Sequence, residues 1–378
     1  MKKEIIFAVA SLVGAIIGVG VFGIPYVSAK AGFMVGAAYI VILGTAMATL
    51  HLMYGEVVER TNGIHRLAGY AERYLSPKAK GIVAFSILFG GYAGLLLYII
   101  ASGYFLDTIF PGVLSPFWWS IVFWFFGAIL IWKGIKAVAR GELILTAVLV
   151  ATLIFVIGTS VPHINLEYLR EFNPSNIFLP YGVVLFAVMG IQAIPEIRTI
   201  FTIDGKNFRN AIILGTFIPV LLYLLFNLAV VGVSGVATSP EAIQGLVPEL
   251  GLVVTTVGAL FGLLAVGTSF LLFGIALKNV QIYDIRIPGF LATGLTIFAP
   301  IILFFIGLRE LIPIIGFTGA VMGALDGVVV ALIYLQAKKN GDKEPGYKIE
   351  FGTIAVYTIC MLLVAGAVYE IYNFVISL

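Results

Sequence analysis

The sequence predicts an all-α polytopic membrane protein of eleven spans. Two inverted halves of five helices each carry an interrupted first helix, and one further helix follows at the C-terminus. Three observations predict it. Of 378 residues, 61% are hydrophobic and 11% charged, and the mean hydropathy is +1.10, outside the range of soluble globular domains. The apolar residues gather into runs of about 20, the length that crosses a bilayer. Glycine and proline interrupt two of those runs, five spans apart, and paired interruptions in corresponding positions of two halves mark an inverted repeat.

The first span, near 5–28, contains Gly14-Ala15-Ile16-Ile17-Gly18-Val19-Gly20-Val21-Phe22-Gly23-Ile24-Pro25. Glycine weakens a helix interior by about 1 kcal/mol and proline by about 3 kcal/mol, so two half-helices joined by extended residues near Gly18 to Phe22 are expected. Backbone groups freed inside a bilayer are tolerated only where they line a protected cavity, which makes the break a candidate binding site. Met1-Lys2-Lys3, the apolar run and Ala29-Lys30-Ala31 also fit a secretory signal. The run exceeds the roughly 7 to 15 residues of a signal core, which favours a retained helix.

Spans two to five are expected near 32–58, 81–110, 117–133 and 141–161, with an amphipathic segment at Ile64 to Leu75. The sixth, near 177–197, runs from Pro180 to Pro195, with Gly190 and Pro195 marking its weak part. Because five is odd, spans one to five and six to ten run in opposite directions, giving repeats of about 5–161 and 177–337. Spans seven to ten are expected near 209–234, 251–278, 288–308 and 311–337, and the extra helix near 350–376. The loops Ile164 to Phe172 and Glu241 to Leu250 carry apolar residues at helical spacing; they lie across the mouth of the protein or form interfacial helices. No polar linker divides the chain, so residues 1–378 form one transmembrane domain.

With a cytoplasmic N-terminus, all but Lys30, Arg170 and Arg309 of the 22 Lys and Arg residues fall in cytoplasmic segments. The positive-inside rule then gives an N-terminus inside and a C-terminus outside, and the short loops suggest a prokaryotic inner membrane. The net charge of +3 reflects this topology; no basic face suggests nucleic-acid binding, and lipid is the expected partner. One cysteine, Cys360, excludes an intramolecular disulfide and a cysteine-cluster metal site.

The stretch from Gly14 to Pro25 resembles the first-helix signature of the amino acid, polyamine and organocation transporter superfamily, especially its amino acid/auxin permease and aromatic amino acid permease branches. Phe186, Gly190 and Pro195-Glu196-Ile197-Arg198 are similar to the same branches. The resemblance covers the whole chain. It implies the LeuT-like fold and secondary active transport of an amino acid bound midway through the membrane between helices 1, 3, 6 and 8.

A zwitterion needs partners for both its charges. The N–H groups of Gly18, Val19, Gly20 and Val21 suit the carboxylate, and the carbonyls of Ile17, Phe186, Ala187 and Val188 suit the ammonium. Val21, Phe186, Met189 and Phe273, beside Gly190, are expected to line a neutral side-chain pocket, which excludes lysine, arginine, glutamate and aspartate as substrates. The resemblance also implies a tyrosine contact from the third span, supplied by Tyr98 or Tyr92. It implies a sodium ion held by the hydroxyls of Thr268 and Ser269 and the carbonyls of Ala265, Gly14 and Ile17, as a co-substrate rather than a resident cofactor. The alternative for those hydroxyls is a bond back to their own helix.

Proton coupling is the rival. Some proton-coupled relatives carry a lysine in the fifth span, which is absent here from 141–161; His51, Glu56, Asp107, Asp326 and Glu370 are the candidate carriers. Glu196 and Arg198 form a cytoplasmic gate or an ordinary interfacial pair. His51, His65 and His163 lie in three separate regions, so an enzyme is not expected. A channel or a transport-dead receptor of the same fold would retain the binding site.

Overall fold

The computed structural model describes residues 2–63, 65–133, 142–201, 203–283, 285–350 and 353–377. Lys136 and Arg140, counted above among the cytoplasmic basic residues, lie outside them. The elements form a helical bundle. Its first broken span is α1 (Lys2–Ile16) and α2 (Gly20–Ala31), bent by 55°. Then follow α3 (Phe33–Arg60), the short α4 (Leu67–Tyr74), α5 (Pro77–Ile109), α6 (Pro116–Lys133) and α7 (Glu142–Ser160). The second half holds α8 (Pro180–Ala187), α9 (Ala193–Ile200), α10 (Gly205–Ser234), α11 (Val247–Tyr283), α12 (Gly289–Phe305), α13 (Leu311–Asn340) and α14 (Thr353–Ser377).

By length and apolarity, eight of these helices cross a membrane, or nine with α1 and α2 taken as one span. The expectation of eleven also counts α12, which is apolar but only 17 residues long, and the α8–α9 pair, eight residues each. Helix starts follow local chemistry. The Ser76 hydroxyl accepts from the Ala79 amide beside Pro77 at the start of α5, and Asp204 accepts from the Asn207 amide at the start of α10; both are side-chain caps for otherwise orphaned donors.

Between membrane helices, contact energy comes from close packing, and small residues permit it. The α8–α13 crossing is built this way: Gly182 faces the backbone of Gly316, and Gly319 faces the carbonyl of Gly182. Elsewhere α11 packs on α5 and α7, α10 on α1 and α3, and α14 on α13. Cys360 lies half-buried on α14.

The two ends of the bundle differ. At the end where α2 finishes, the 164–172 segment forms turns rather than the interfacial helix its spacing allowed. It packs inward: the Asn165 amide donates to the Gly232 carbonyl at 2.7 Å and the Asn173 amide to Ala31 at 3.1 Å. At the opposite end, α4 realises the amphipathic 64–75 segment, and residues 341–349 tie it to α3. Asp342 accepts from the Asn62 amide at 2.7 Å and pairs with Arg73; these contacts, the amide first, hold its carboxyl below the usual carboxylate range. Glu56 pairs with Arg60 and accepts from the Ile349 amide. Arg198 pairs with Glu59 of α3 at 2.5 Å, while Glu196 is exposed. The pairing of Glu196 with Arg198 is therefore replaced by a tie between α9 and α3, because side chains two apart on a helix do not face each other.

Candidate functional site

Both breaks lie at the centre of the bundle, against one another. The first comprises residues 17–19, so Gly20, Val21 and Phe22, expected to be extended, already belong to α2. Backbone bonding resumes at the Val21 amide, which reaches the Gly18 carbonyl at 3.4 Å, leaving the amides of Gly18, Val19 and Gly20 without a backbone acceptor. They form the positive end of α2, suited to an anion. The second break comprises residues 188–192; Pro195 lies beyond it, in the first turn of α9, where a missing N–H costs nothing. The carbonyls of Ile17 and Val188 receive no backbone donor and remain open to a cation.

One residue that the sequence reading passed over holds the two breaks together. The hydroxyl of Tyr223, fully buried on α10, shares its proton between the carbonyl of Ile16 at 3.1 Å and that of Ala187 at 3.0 Å. These are the last residues of α1 and α8, where orphaned carbonyls need a donor.

The glycines divide sharply. A Cβ at Gly18 would meet only the Tyr98 hydroxyl, at 3.9 Å. At Gly20 it would lie 2.8 Å from the Ala187 Cα, and at Gly190 it would lie 2.5 Å from Ile16 and 3.2 Å from His51. Gly18 thus borders open space, whereas Gly20 and Gly190 let the two broken spans approach each other. Tyr98 lies beside Ser269 and packs edge-on to Phe273 at 6.3 Å. Tyr92 is engaged elsewhere, donating to Gln281 at 3.2 Å. Phe186 and Met189 are partly accessible, whereas the Val21 side chain is fully buried and does not line the opening.

The space around Gly18 is sealed on the α2 side by Phe22, whose ring meets Phe105 at 5.0 Å and Phe226 at 6.1 Å. Phe273 is 42% exposed although it lies nine residues beyond Leu264, half a helical turn away from the exposed face of α11 that Leu260 and Leu264 occupy. Gln192, in the second break, is exposed as well.

The sequence model of the tryptophan/tyrosine permease family matches residues 1–370. The chain belongs to the tryptophan/tyrosine permease family. The permease is 25% identical to "Tyrosine-specific transport system 1" of Haemophilus influenzae, over 93% of this chain and 92% of that protein. It is 26% identical to "Tryptophan-specific transport protein" of Shigella flexneri, over 76% of this chain and 75% of that one. Among solved structures it resembles MhsT in complex with L-phenylalanine, with a TM-score of 0.66 at 13% identity, covering 97% of each chain. It also resembles the manganese transporter of Eremococcus coleocola, with a TM-score of 0.67 at 14% identity, covering 99% of this chain and 88% of the other. The fold is LeuT-like, and the permease is a secondary transporter of amino acids rather than an enzyme.

Counted as in the expected plan of spans, α1–α2, α5, α8–α9 and α11 are the first, third, sixth and eighth; of the expected substrate residues, Tyr98 lies by Gly18 and Phe186 by Gly20, and Phe273 packs on Tyr98. Of the expected sodium residues, Ser269 lies beside Tyr98. The Thr268 hydroxyl donates to the carbonyls of Leu264 and Ala265, each at 3.0 Å, and Gly14 faces Thr146 of α7. Of the five titratable candidates, Glu56 is held in its ion pair, Asp107 accepts from Gln244 at 3.3 Å near the α2 end, and Glu370 lies on α14 against Gly316. His51 bonds Thr216 through Nδ1 at 3.0 Å, with Nε2 unpartnered. Asp326 is buried with Oδ1 unpartnered.

Proposed function

We propose that the permease imports an aromatic amino acid through the space between its two helix breaks, coupled to an ion gradient, with the α4 end facing the cytoplasm of a prokaryotic cell. The observation that carries this reading is the open space at Gly18. Free amides of α2 and free carbonyls of Ile17 and Val188 border it, and Tyr98, Phe186, Met189 and Phe273 bring aromatic and apolar surface without any charge. Such a lining suits a neutral ring and leaves a charged side chain without a counter-charge. The names of the relatives, tyrosine-specific and tryptophan-specific, agree with it. Eleven spans, with α12 as the ninth and α8–α9 as the sixth, complete the repeat of five and five, and the basic residues clustered at the α4 end support the orientation.

For the ion, sodium at Thr268, Ser269 and the carbonyls of Ala265, Gly14 and Ile17 is the reading the sequence favours. The unpaired carboxylate of Asp326 favours protons as the second reading. Uptake of labelled tyrosine, tryptophan, phenylalanine, leucine, lysine and glutamate into proteoliposomes, under imposed sodium or proton gradients, tests all of this. Saturable uptake of the aromatic amino acids under one of the two gradients is expected. Uptake of lysine or glutamate with equal efficiency overturns the substrate reading, and flux that does not saturate points to a channel.

A further inference from the structure

We infer that Asp326 is a proton-binding site on the α4 side of the second break, and that its occupancy controls the link between α13 and that break. The inference rests on the transport reading for its role, though not for its existence. Asp326 is 4% exposed, and among the described residues no lysine, arginine or histidine pairs with it. A carboxylate in an apolar bundle is tolerated only with a partner or a bound cation. It faces the Ser86 hydroxyl of α5 and the Gln192 amide of the break, and Tyr54 of α3 lies within its electrostatic reach. Asp326 Oδ1, Ser86 Oγ, Tyr54 OH and, one turn along α3, His51 Nε2 are all buried without a hydrogen-bond partner. Buried polar groups in native proteins are paired in about nine cases of ten, so four orphans in one region point to a site for an exchangeable species.

The position suits a proton moving with the substrate. A Cβ at Gly323, three residues before Asp326, would lie 3.0 Å from the Met189 sulfur, so the carboxylate lies about one helical turn from Met189. Gln192, which faces it, is itself exposed. Other titratable groups stand farther off: Tyr70 of α4 packs on Tyr54 at 5.6 Å, Glu196 of α9 faces Tyr54, and Glu370 of α14 lies ten residues away, against Gly316. Among the described residues, α2, α5 and α8 place no acid or base against Asp326.

The chemistry is one proton transferred from a hydronium ion to a carboxylate oxygen, returned to water when the site opens. As a carboxylate Asp326 can only accept, and the donors that face it are the Ser86 hydroxyl and the Gln192 NH2; as the acid it has an O–H to offer the Gln192 carbonyl oxygen. Protonation therefore reverses the link between α13 and the second break.

The test uses the full-length protein in lipid. Infrared difference spectra across pH, recorded without substrate, should show a protonated-carboxyl band that titrates and is absent from Asp326→Asn. With labelled tyrosine, the unmutated protein should gain affinity as pH falls, by up to about tenfold per pH unit for one coupled proton. Asp326→Asn should still bind but lose this dependence and proton-driven accumulation, and Asp326→Glu should restore both. An unchanged titrating band in Asp326→Asn, accumulation by that variant under a proton gradient, or a band that shifts with sodium at fixed pH would overturn the proposal. The expected band in a protein that binds no amino acid would instead overturn the transport reading and leave the proton site standing.

Discussion

The two helix breaks do the same thing with different materials. The first is three residues, Ile17 to Val19, with no polar side chain; the second is five, Val188 to Gln192, and ends on a glutamine. Each leaves a helix C-terminus whose last carbonyl is held by the same Tyr223 hydroxyl. The first break therefore offers ligands only through its backbone, where Gly18 stands clear of protein atoms. The second adds side-chain chemistry, because Gln192 reaches toward Asp326. On the proposed reading, one architectural device is divided between two tasks: a backbone cradle for a zwitterion, and a polar junction that senses a proton.

The largest expected effect separates two glycines two residues apart. Gly18→Leu fills the open space, and tyrosine affinity should fall at least about a hundredfold, or 2.7 kcal/mol, in a protein that remains folded. Gly20→Ala, a smaller change, forces a Cβ to within 2.8 Å of the Ala187 Cα; backbone cannot step aside cheaply, so stability should fall by about 1–3 kcal/mol. Thermal melts in detergent alongside binding isotherms distinguish the two. A stable Gly18→Leu with full affinity would remove the first break from the substrate site.

Next is the residue common to both. Tyr223→Phe leaves the Ile16 and Ala187 carbonyls buried without their donor, at about 1–3 kcal/mol for each unsatisfied group. The melting temperature should drop, and substrate affinity with it, as both breaks lose their fixed geometry. An unchanged melting temperature would mean that the two breaks are held independently.

Much of this architecture is legible in the sequence. Gly18 and its neighbours with Pro25 announce the first break to within three residues, because intrinsic helix cost is local. The second is announced less well: Gly190 lies within it, yet Pro195 misplaces its end, since proline is compatible with a first helical turn. Which glycine faces a ligand is not legible, as Gly18 and Gly20 are the same residue in the same motif and only the arrival of α8 against one of them tells them apart. Tyr223 is one of 17 tyrosines, and its two acceptors lie 207 and 36 residues away along the chain. The hydroxyls of Thr268 and Ser269 were legible as chemistry, but whether they meet an ion depends on how α11 sits against α1.

A smaller effect sharpens the assignment on the facing helix. The Tyr98 hydroxyl looks onto Gly18, so Tyr98→Phe should weaken tyrosine binding by about 0.5–1.5 kcal/mol, the net worth of one hydrogen bond. Tyr92→Phe, whose hydroxyl is committed to Gln281, should leave affinity unaltered. The reverse pattern, read by competition binding, would move the site toward the α4 end and bring it onto the second break.

The smallest effect guards the comparison against a false positive, since a pH-dependent signal has a second source. Glu241, in the loop near the α2 end, is fully buried. Its Oε1 accepts from Ser239 at 2.6 Å and from the Gln244 amide at 3.0 Å, while Oε2 has no partner. Burial pushes its carboxyl above the ordinary glutamate value of 4.5. A folded-state value raised in this way contributes stability that is fully present below the unfolded value and is lost as pH rises through the folded one. Melting temperature should therefore decline as pH climbs from about 4.5, and Glu241→Gln should flatten that decline without altering the pH dependence of tyrosine binding. If Glu241→Gln abolished the binding dependence instead, the proton would be sensed at the α2 end and the division of labour between the two breaks would fail.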